Sequence, residues 1–340
     1  MIANMKAKWI VLLLLAMSAP LLSLFFGAAS LSADTIFQCV SGSCADPIDN
    51  TIFWDIRFPR VMVGFLVGAG LSVAGATLQN VTRNGLADPY LFGVVAGAGL
   101  GASVAALLLN SPLAAKWGLP TAAFGIALPV SALIGAIFAV IMVQLLARST
   151  FGGRIEHMLL AGVAVSFMLS ALSQFLLFVG DPFAANQVVF WLMGSLARVE
   201  SHYAWVLFAV VAGCTAALYL FGPRIDALLL GDDSARTLGV NVAHMRMLSL
   251  LICAGLTAAI VSYCGGIGFV GLMIPHIVRR WLGVTSRTLF IGCALLGGFF
   301  MVWVDVFART ALTGREIPVG IITSAIGSLF FLLVMRQRQA

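Results

Sequence analysis

Residues 57–101 read RFPRVMVGFLVGAGLSVAGATLQNVTRNGLADPYLFGVVAGAGLG, and this stretch decides the fold. Two arginines flank Phe58 and Pro59 at the start of an apolar run that is rich in glycine. A polar turn follows at 80–89, and a second apolar run of the same kind comes after it. Glycine at helical spacing allows helix backbones to approach each other closely in lipid. An arginine at the edge of a span is tolerated where its guanidinium reaches water or a partner. The stretch therefore predicts tightly packed membrane helices with positive charge at one surface.

The composition of the whole chain also indicates a membrane protein. The 340 residues are 61% hydrophobic and 9% charged, with a mean hydropathy of +1.07. The long apolar runs lack the alternation of barrel strands, and a crossing needs roughly 20 residues, so there is room for about ten helices. The sequence predicts an all-α polytopic membrane protein with a single transmembrane domain over residues 1–340. The predicted spans are 9–29, 61–80, 91–109, 122–147, 156–178, 203–221, 245–263, 267–282, 289–308 and 317–335.

The distribution of lysine and arginine predicts the orientation of these spans. With both termini in the cytoplasm, 13 of the 19 basic residues fall on the cytoplasmic side, as the positive-inside rule requires. Arg57, Arg60 and Arg309 are among those placed outside. The net charge of +6 is then explained by the membrane topology, and nucleic acid is not an expected partner. The first apolar run, Trp9–Ala29, is longer than a signal-peptide core, so we expect a retained helix.

Two segments between spans are longer than the others. Residues 30–56 form the predicted first periplasmic loop, which contains Cys39 and Cys44; the sequence leaves open whether these two cysteines form a disulfide. Residues 222–242 form the predicted cytoplasmic segment, with short helices at the membrane surface. This segment is either an ordinary interfacial loop or a docking surface for a soluble protein.

Motifs for nucleotide, metal or catalytic chemistry are weak in this sequence. Gly266, Gly268 and Gly271 match a dinucleotide fingerprint, but no predicted strand precedes them, and close helix packing explains them better. No phosphate-binding loop occurs, so ATP would have to be hydrolysed by a separate subunit. No histidine has metal-ligand spacing, and His276 is interpreted as a packing or helix-end residue. We expect no catalytic residue, metal site or cofactor in this chain.

Asp305 is an acid within a predicted span, and such a residue is a functional candidate by default. Arg309 is four residues later on the same helix face, so an ion pair is the preferred interpretation over a proton relay. An ion-coupled secondary carrier would need a titratable site at mid-membrane, and Asp305 is the residue available for it.

Four blocks of sequence, in order along the chain, together resemble the FecCD-type permeases of binding-protein-dependent ABC importers. The blocks are RFPR at Arg57–Arg60 with its continuation at Gly68–Gly99, LLLGDDSARTLGV at Leu228–Val240, GGIGFVGLMIPHIVR at Gly265–Arg279, and REIPVGIITSAIGSLFF at Arg315–Phe331. Two positions depart from the family pattern. Asp232 replaces a frequent Glu, and Leu329 replaces a frequent Pro, which puts the shape of the last helix in question.

The resemblance implies an assembly and a cargo. Such permeases have ten helices and pair with a second permease copy or a homologous permease. Two cytoplasmic P-loop ATPase subunits bind magnesium-ATP, and a periplasmic substrate-binding protein docks outside, across the bacterial inner membrane. A ferric siderophore is the first expectation for the cargo because it is the commonest cargo of this family, with cobalamin or haem as alternatives. A chelate is expected rather than a bare metal ion, because the sequence shows no cluster of ligands for such an ion.

The resemblance also implies two sets of functional residues. Docking of the binding protein is assigned to Arg57, Arg60 and Arg309. Coupling to the ATPase is assigned to the second block, with these residues as contacts: Asp232, Ser234, Ala235, Arg236, Leu238 and Gly239.

Overall fold

The structure is a computed structural model that describes residues 2–27, 31–44, 46–109, 123–151, 155–197 and 201–337. Within these ranges all regular secondary structure is helical. Four basic residues used in the orientation argument lie outside the described residues: Lys116, Arg154, Arg198 and Arg338.

The helices are numbered here in chain order. The first half contains α1 (Ile2–Ser23), α2 (Ala33–Val40), α3 (Pro47–Thr51), α4 (Phe58–Thr82), α5 (Val94–Leu109), α6 (Ala123–Phe151) and α7 (Ile155–Val179). The second half contains α8 (Pro182–Leu192), α9 (Ser201–Leu229), α10 (Asp232–Thr237), α11 (Val242–Cys264), α12 (Val270–Leu282), α13 (Ser286–Thr310) and α14 (Val319–Gln337). A π-helical turn, Ile52–Arg57, joins α3 to α4, and a 3₁₀ turn, Pro89–Phe92, precedes α5.

Every one of the ten predicted spans overlaps a helix. In the described part of the chain, seven helical segments are long and apolar enough to cross a membrane by themselves. The other three predicted spans correspond to α5, α12 and α14, which are shorter; α12 has only 13 residues. The prediction of an all-α polytopic membrane protein is confirmed. A short additional helix, α8, follows the span ending near residue 179.

The helix α4 lies at the centre of the bundle, and most of its residues are buried. Its glycines explain how neighbours come so close. A Cβ added at Gly75 would lie 2.0 Å from the carbonyl oxygen of Gly271 on α12. A Cβ added at Gly68 would lie 2.0 Å from the carbonyl oxygen of Gly297 on α13. The packing role that the sequence predicted for Gly271 is therefore confirmed, because no larger residue fits between these backbones.

The helix α9 continues past its predicted end at 221 and reaches Leu229, with Pro223 inside it. Proline lacks the N–H that would bond to the carbonyl four residues earlier. That carbonyl belongs to Tyr219, and the Arg287 Nε donates to it at 3.4 Å. A long-range donor thus replaces the missing helical hydrogen bond, which the local sequence pattern could not show.

Side-chain contacts define two ends of the bundle. At the Arg60 end, the start of α4 meets the ends of α1 and α13 and the segment before α14. At the Asp232 end, the end of α4 meets α10 and the start of α11, and Lys8 of α1 meets the end of α12. Cys39 and Cys44, in the segment between α1 and α4, form a disulfide.

Candidate docking and coupling sites

The Arg60 end carries a buried charge cluster centred on Arg60. Its guanidinium donates to Asp305 from Nε at 2.9 Å and from Nη2 at 2.8 Å. The other edge donates to Glu316 from Nη1 at 2.8 Å and from Nη2 at 2.9 Å. The side chains of Arg60 and Asp305 are 10% and 3% exposed, whereas that of Glu316 is 45% exposed. Two bidentate pairs therefore occupy both edges of one guanidinium, which fixes its plane.

Two more arginines complete this cluster. Arg309 lies 3.4 Å from Asp305, and its Nη2 donates to the carbonyl oxygen of Ser23 at 3.0 Å. Arg57 donates to the carbonyl oxygen of Leu24. The ion pair predicted between Asp305 and Arg309 is confirmed, but Arg60 is the closer partner of Asp305.

The structure brings the three predicted docking arginines together, but their side chains point inward. Arg57, Arg60 and Arg309 are only 4%, 8% and 8% exposed. Three cations and two carboxylates leave the cluster with one excess positive charge. Glu316 has a lowered pKa, chiefly because of the hydrogen bonds from Arg60, so it stays ionised at neutral pH. Docking of a partner on these arginines stays a prediction.

A cavity of about 190 Å³ opens beside Arg60 and Glu316. Three segments border it where their backbones join. The Val319 N–H donates to the Gly194 carbonyl oxygen at 3.1 Å, and the Ser195 N–H donates to the Cys264 carbonyl oxygen at 2.9 Å. The charge cluster, the end of α8 and the start of α14 are thereby held in one arrangement.

The Asp232 end is organised around the short helix α10. Asp232, in its first turn, accepts hydrogen bonds from Arg83 at 2.5 Å and from Arg246 at 2.9 Å. Arg83 directly follows α4, and Arg246 lies in the first turns of α11. The pKa of Asp232 is lowered, mainly by the hydrogen bond from Arg246, so the carboxylate remains charged in neutral and mildly acidic solution. One carboxylate thus ties α10 to both the central helix and α11.

Of the predicted coupling residues, four are exposed to the surroundings and one is buried. Ala235 is fully buried and packs α10 against the bundle. Leu238 is 62% exposed. The remaining outward residues are exposed as well: Ser234, Arg236 and Gly239. The helix therefore presents one exposed surface while its other side is anchored.

Comparison with known proteins identifies the type of protein. The sequence pattern of the FecCD transport family matches residues 12–337. The chain belongs to the FecCD transport family. It is a permease subunit of an ABC transporter and a multi-pass membrane protein.

Individual FecCD relatives and one solved structure agree with this assignment. The chain is 40% identical over 284 residues to the "Cobalamin import system permease protein BtuC" of Halobacterium salinarum, covering 84% of this chain and 73% of that protein. It is 36% identical over 288 residues to the "Probable iron chelatin transport system permease protein" of Helicobacter pylori, covering 84% and 83%. A solved structure described as an inward-facing conformation of a metal-chelate type ABC transporter has a TM-score of 0.84 and 29% identity, covering 98% of this chain and 99% of that one.

Sequence reasoning missed three members of the two clusters. Glu316 was visible only as part of the REIP block, with nothing to pair it with Arg60. Arg83 and Arg246 were visible only as basic residues near span ends. Each joins its partner across more than ten residues of sequence, and two of these three contacts join residues more than 100 positions apart, so no local spacing could reveal them.

Proposed function

We propose that this FecCD permease moves a metal chelate, with a ferric siderophore as the first candidate, from the periplasm to the cytoplasm. The observation that carries the proposal is the anchoring of α10 through Asp232 to Arg83 and Arg246. A force applied to the exposed surface of α10 would reach the central helix α4 through this carboxylate. The chain is thereby suited to receive mechanical work from a partner and to convert it into a change of the bundle.

The proposed partner at the Asp232 end is a cytoplasmic P-loop ATPase that binds magnesium-ATP. The proposed partners elsewhere are a second permease copy or homologous permease, and a periplasmic substrate-binding protein at the Arg60 end. The charge distribution supports this orientation in a bacterial inner membrane, because basic residues concentrate at the Asp232 end. The termini would then be cytoplasmic.

The one excess positive charge of the cluster formed by Arg57, Arg60, Arg309, Asp305 and Glu316 supports an acidic docking partner. Because Arg60 is already held by Asp305 and Glu316, a partner carboxylate would have to share or displace the exposed Glu316. Substituting the buried arginines would disturb the fold together with the docking. Cross-linking from neighbouring exposed positions is therefore the cleaner experiment.

Two variants, each with one cysteine added at a position of similar exposure, test both proposed interfaces. Leu312 at the Arg60 end is 52% exposed, and Leu238 after α10 is 62% exposed. We expect Leu312→Cys to cross-link to the binding protein and Leu238→Cys to cross-link to the ATPase, each in the assembled transporter. A reversed pattern, or cross-linking of both positions to one partner, would contradict the proposed arrangement.

The cargo is proposed from chemistry and from the relatives. Among the described residues, no group of three or more His, Cys, Asp or Glu side chains could hold a metal ion, which supports a chelated cargo rather than a bare ion. Cobalamin is the second candidate, because a relative with 40% identity is named for cobalamin import. Haem remains a further alternative. Family membership argues against an ion-coupled secondary carrier.

Uptake experiments separate the candidate cargoes. Cells that lack the native gene and carry this chain would be offered a radiolabelled ferric siderophore, labelled cobalamin or haem. We expect accumulation of the ferric siderophore that depends on this chain. Accumulation of cobalamin alone would transfer the assignment to the second candidate.

A further inference from the structure

A groove between α12 and α14 opens at the Asp232 end of the bundle. Its volume is about 560 Å³. The walls are largely apolar, and the exposed Arg280 lies at the groove together with Trp281 and the half-buried His276. The apolar lining residues are Ile277, Phe330, Leu333 and Val334. An apolar channel with a cation beside it suits a ligand that has both an apolar chain and a negative head.

A second cation, Lys8 of α1, lies next to this groove. Its Nζ donates to the carbonyl oxygen of Trp281 at 2.8 Å. That carbonyl belongs to the last turn of α12, where helix carbonyls lack partners within the helix. Lys8 is therefore held at the backbone of the residue that follows Arg280, and two of its three N–H donors remain for another acceptor.

The charged residues on the two helices that form the groove, and on α1 beside them, are all basic. The helices α1, α12 and α14 contain no Asp or Glu within their described bounds. Arg279 is turned inward, where it donates to Gln79 and to Asn80. The other cations on these three helices are Lys6, Lys8, Arg280 and Arg336. This charge is uncompensated by these three helices, so a negative ligand is favoured over a neutral one.

We propose that this groove binds an anionic phospholipid, with the phosphate between Arg280 and Lys8 and an acyl chain along the apolar wall. Trp281 fits the same role, because tryptophan prefers the level of lipid headgroups. A second copy of this chain is a poorer occupant, since a symmetric contact would bring Arg280 and Lys8 close to their own copies. Free phosphate would leave the apolar walls uncovered.

The experiment compares lipid retention by a variant that removes one positive charge from the groove and a control variant that removes one positive charge elsewhere. The protein is purified from nanodiscs made of equal parts phosphatidylglycerol and phosphatidylcholine, and retained lipids are counted by native mass spectrometry. Arg280→Gln should reduce the retention of phosphatidylglycerol relative to phosphatidylcholine about five-fold, the effect of one interfacial basic residue. Arg280→Lys should keep most of the preference. Arg224→Gln removes the same charge from an exposed residue of α9, outside the groove, and should change nothing.

Three results would overturn the proposal. Equal retention of phosphatidylglycerol in the Arg280→Gln and Arg224→Gln variants would show that the groove does not select anionic lipid. Displacement of the bound species by inorganic phosphate would show a free-anion site. Loss of a permease dimer in the Arg280→Gln variant, without a change in lipid retention, would show that a second copy covers the groove.

Discussion

Asp305→Asn is the substitution that most directly tests the charge cluster at the Arg60 end. It keeps the size of the side chain and removes the charge that faces both Arg60 and Arg309. Breaking a buried ion pair from one side costs about 3–5 kcal/mol, because the remaining charge is left uncompensated. Glu316 still holds the other edge of Arg60, so the lower end of that range, about 3 kcal/mol, is the expected loss of unfolding free energy.

Glu316→Gln is the matched comparison. Its side chain is 45% exposed, against 3% for Asp305, although both carboxylates contact the same guanidinium at 2.8 Å. Exposed ion pairs contribute about 1 kcal/mol or less. The unfolding equilibrium should therefore shift by more than about 100-fold for Asp305→Asn, and by no more than about five-fold for Glu316→Gln.

The assay is reversible unfolding in mixed micelles, with increasing sodium dodecyl sulfate and tryptophan fluorescence as the signal. A double variant, Arg60→Met with Asp305→Leu, supplies an internal check. Asp305→Asn leaves both Arg60 and Arg309 without their buried carboxylate, whereas the double variant leaves only Arg309 so, and the double variant should therefore be more stable than Asp305→Asn alone. If Asp305→Asn lowers the unfolding free energy no more than Glu316→Gln does, burial does not determine the stability of these ion pairs, and the reasoning is refuted.

Four further predictions concern packing, coupling, pH dependence and the disulfide. Gly75→Ala should destabilise the bundle by about 1–3 kcal/mol in the same unfolding assay, because the added Cβ would meet a backbone carbonyl. Gly213→Ala is the control: its added Cβ would meet no atom within 4 Å, so the substitution should be neutral or slightly stabilising. Asp232→Asn should reduce cargo moved per ATP hydrolysed while ATP hydrolysis continues; a normal ratio would remove Asp232 from the coupling path. Arginines lower the pKa of Asp232 in the folded state. The stabilising contribution of its carboxylate is therefore present above the ordinary Asp pKa of about 3.9 and is lost as pH falls through the lower folded pKa. The free energy of unfolding measured between about pH 5 and 8 should show no titration of Asp232. Non-reducing peptide mapping should recover Cys39 linked to Cys44, and recovery of both as free thiols would contradict the disulfide.

The large-scale architecture could be predicted from the sequence because each membrane span is recognisable from its own residues. About 20 apolar residues between polar turns identify a helix without any knowledge of its neighbours. The helix ends were less certain, as α9 shows. Its extension beyond Pro223 is accompanied by a hydrogen bond from Arg287 of another helix, and α14 runs through Leu329 without a break.

The candidate sites were only partly accessible from the sequence. Arg57, Arg60 and Arg309 could be placed at one end from charge and family resemblance, but their burial could not. Burial depends on the carboxylates of Asp305 and Glu316, which come from distant parts of the chain. Charge patterns locate a residue along the membrane normal, whereas its partners depend on the tertiary packing of helices.

ATP-dependent accumulation of cargo in proteoliposomes is the measurement that tests the central claim most directly. The vesicles would contain this chain with its co-purified ATPase, together with the binding protein and a radiolabelled ferric siderophore. We expect accumulation that requires ATP and persists when the membrane potential is collapsed. Accumulation that proceeds without ATP and stops when the potential is collapsed would contradict it.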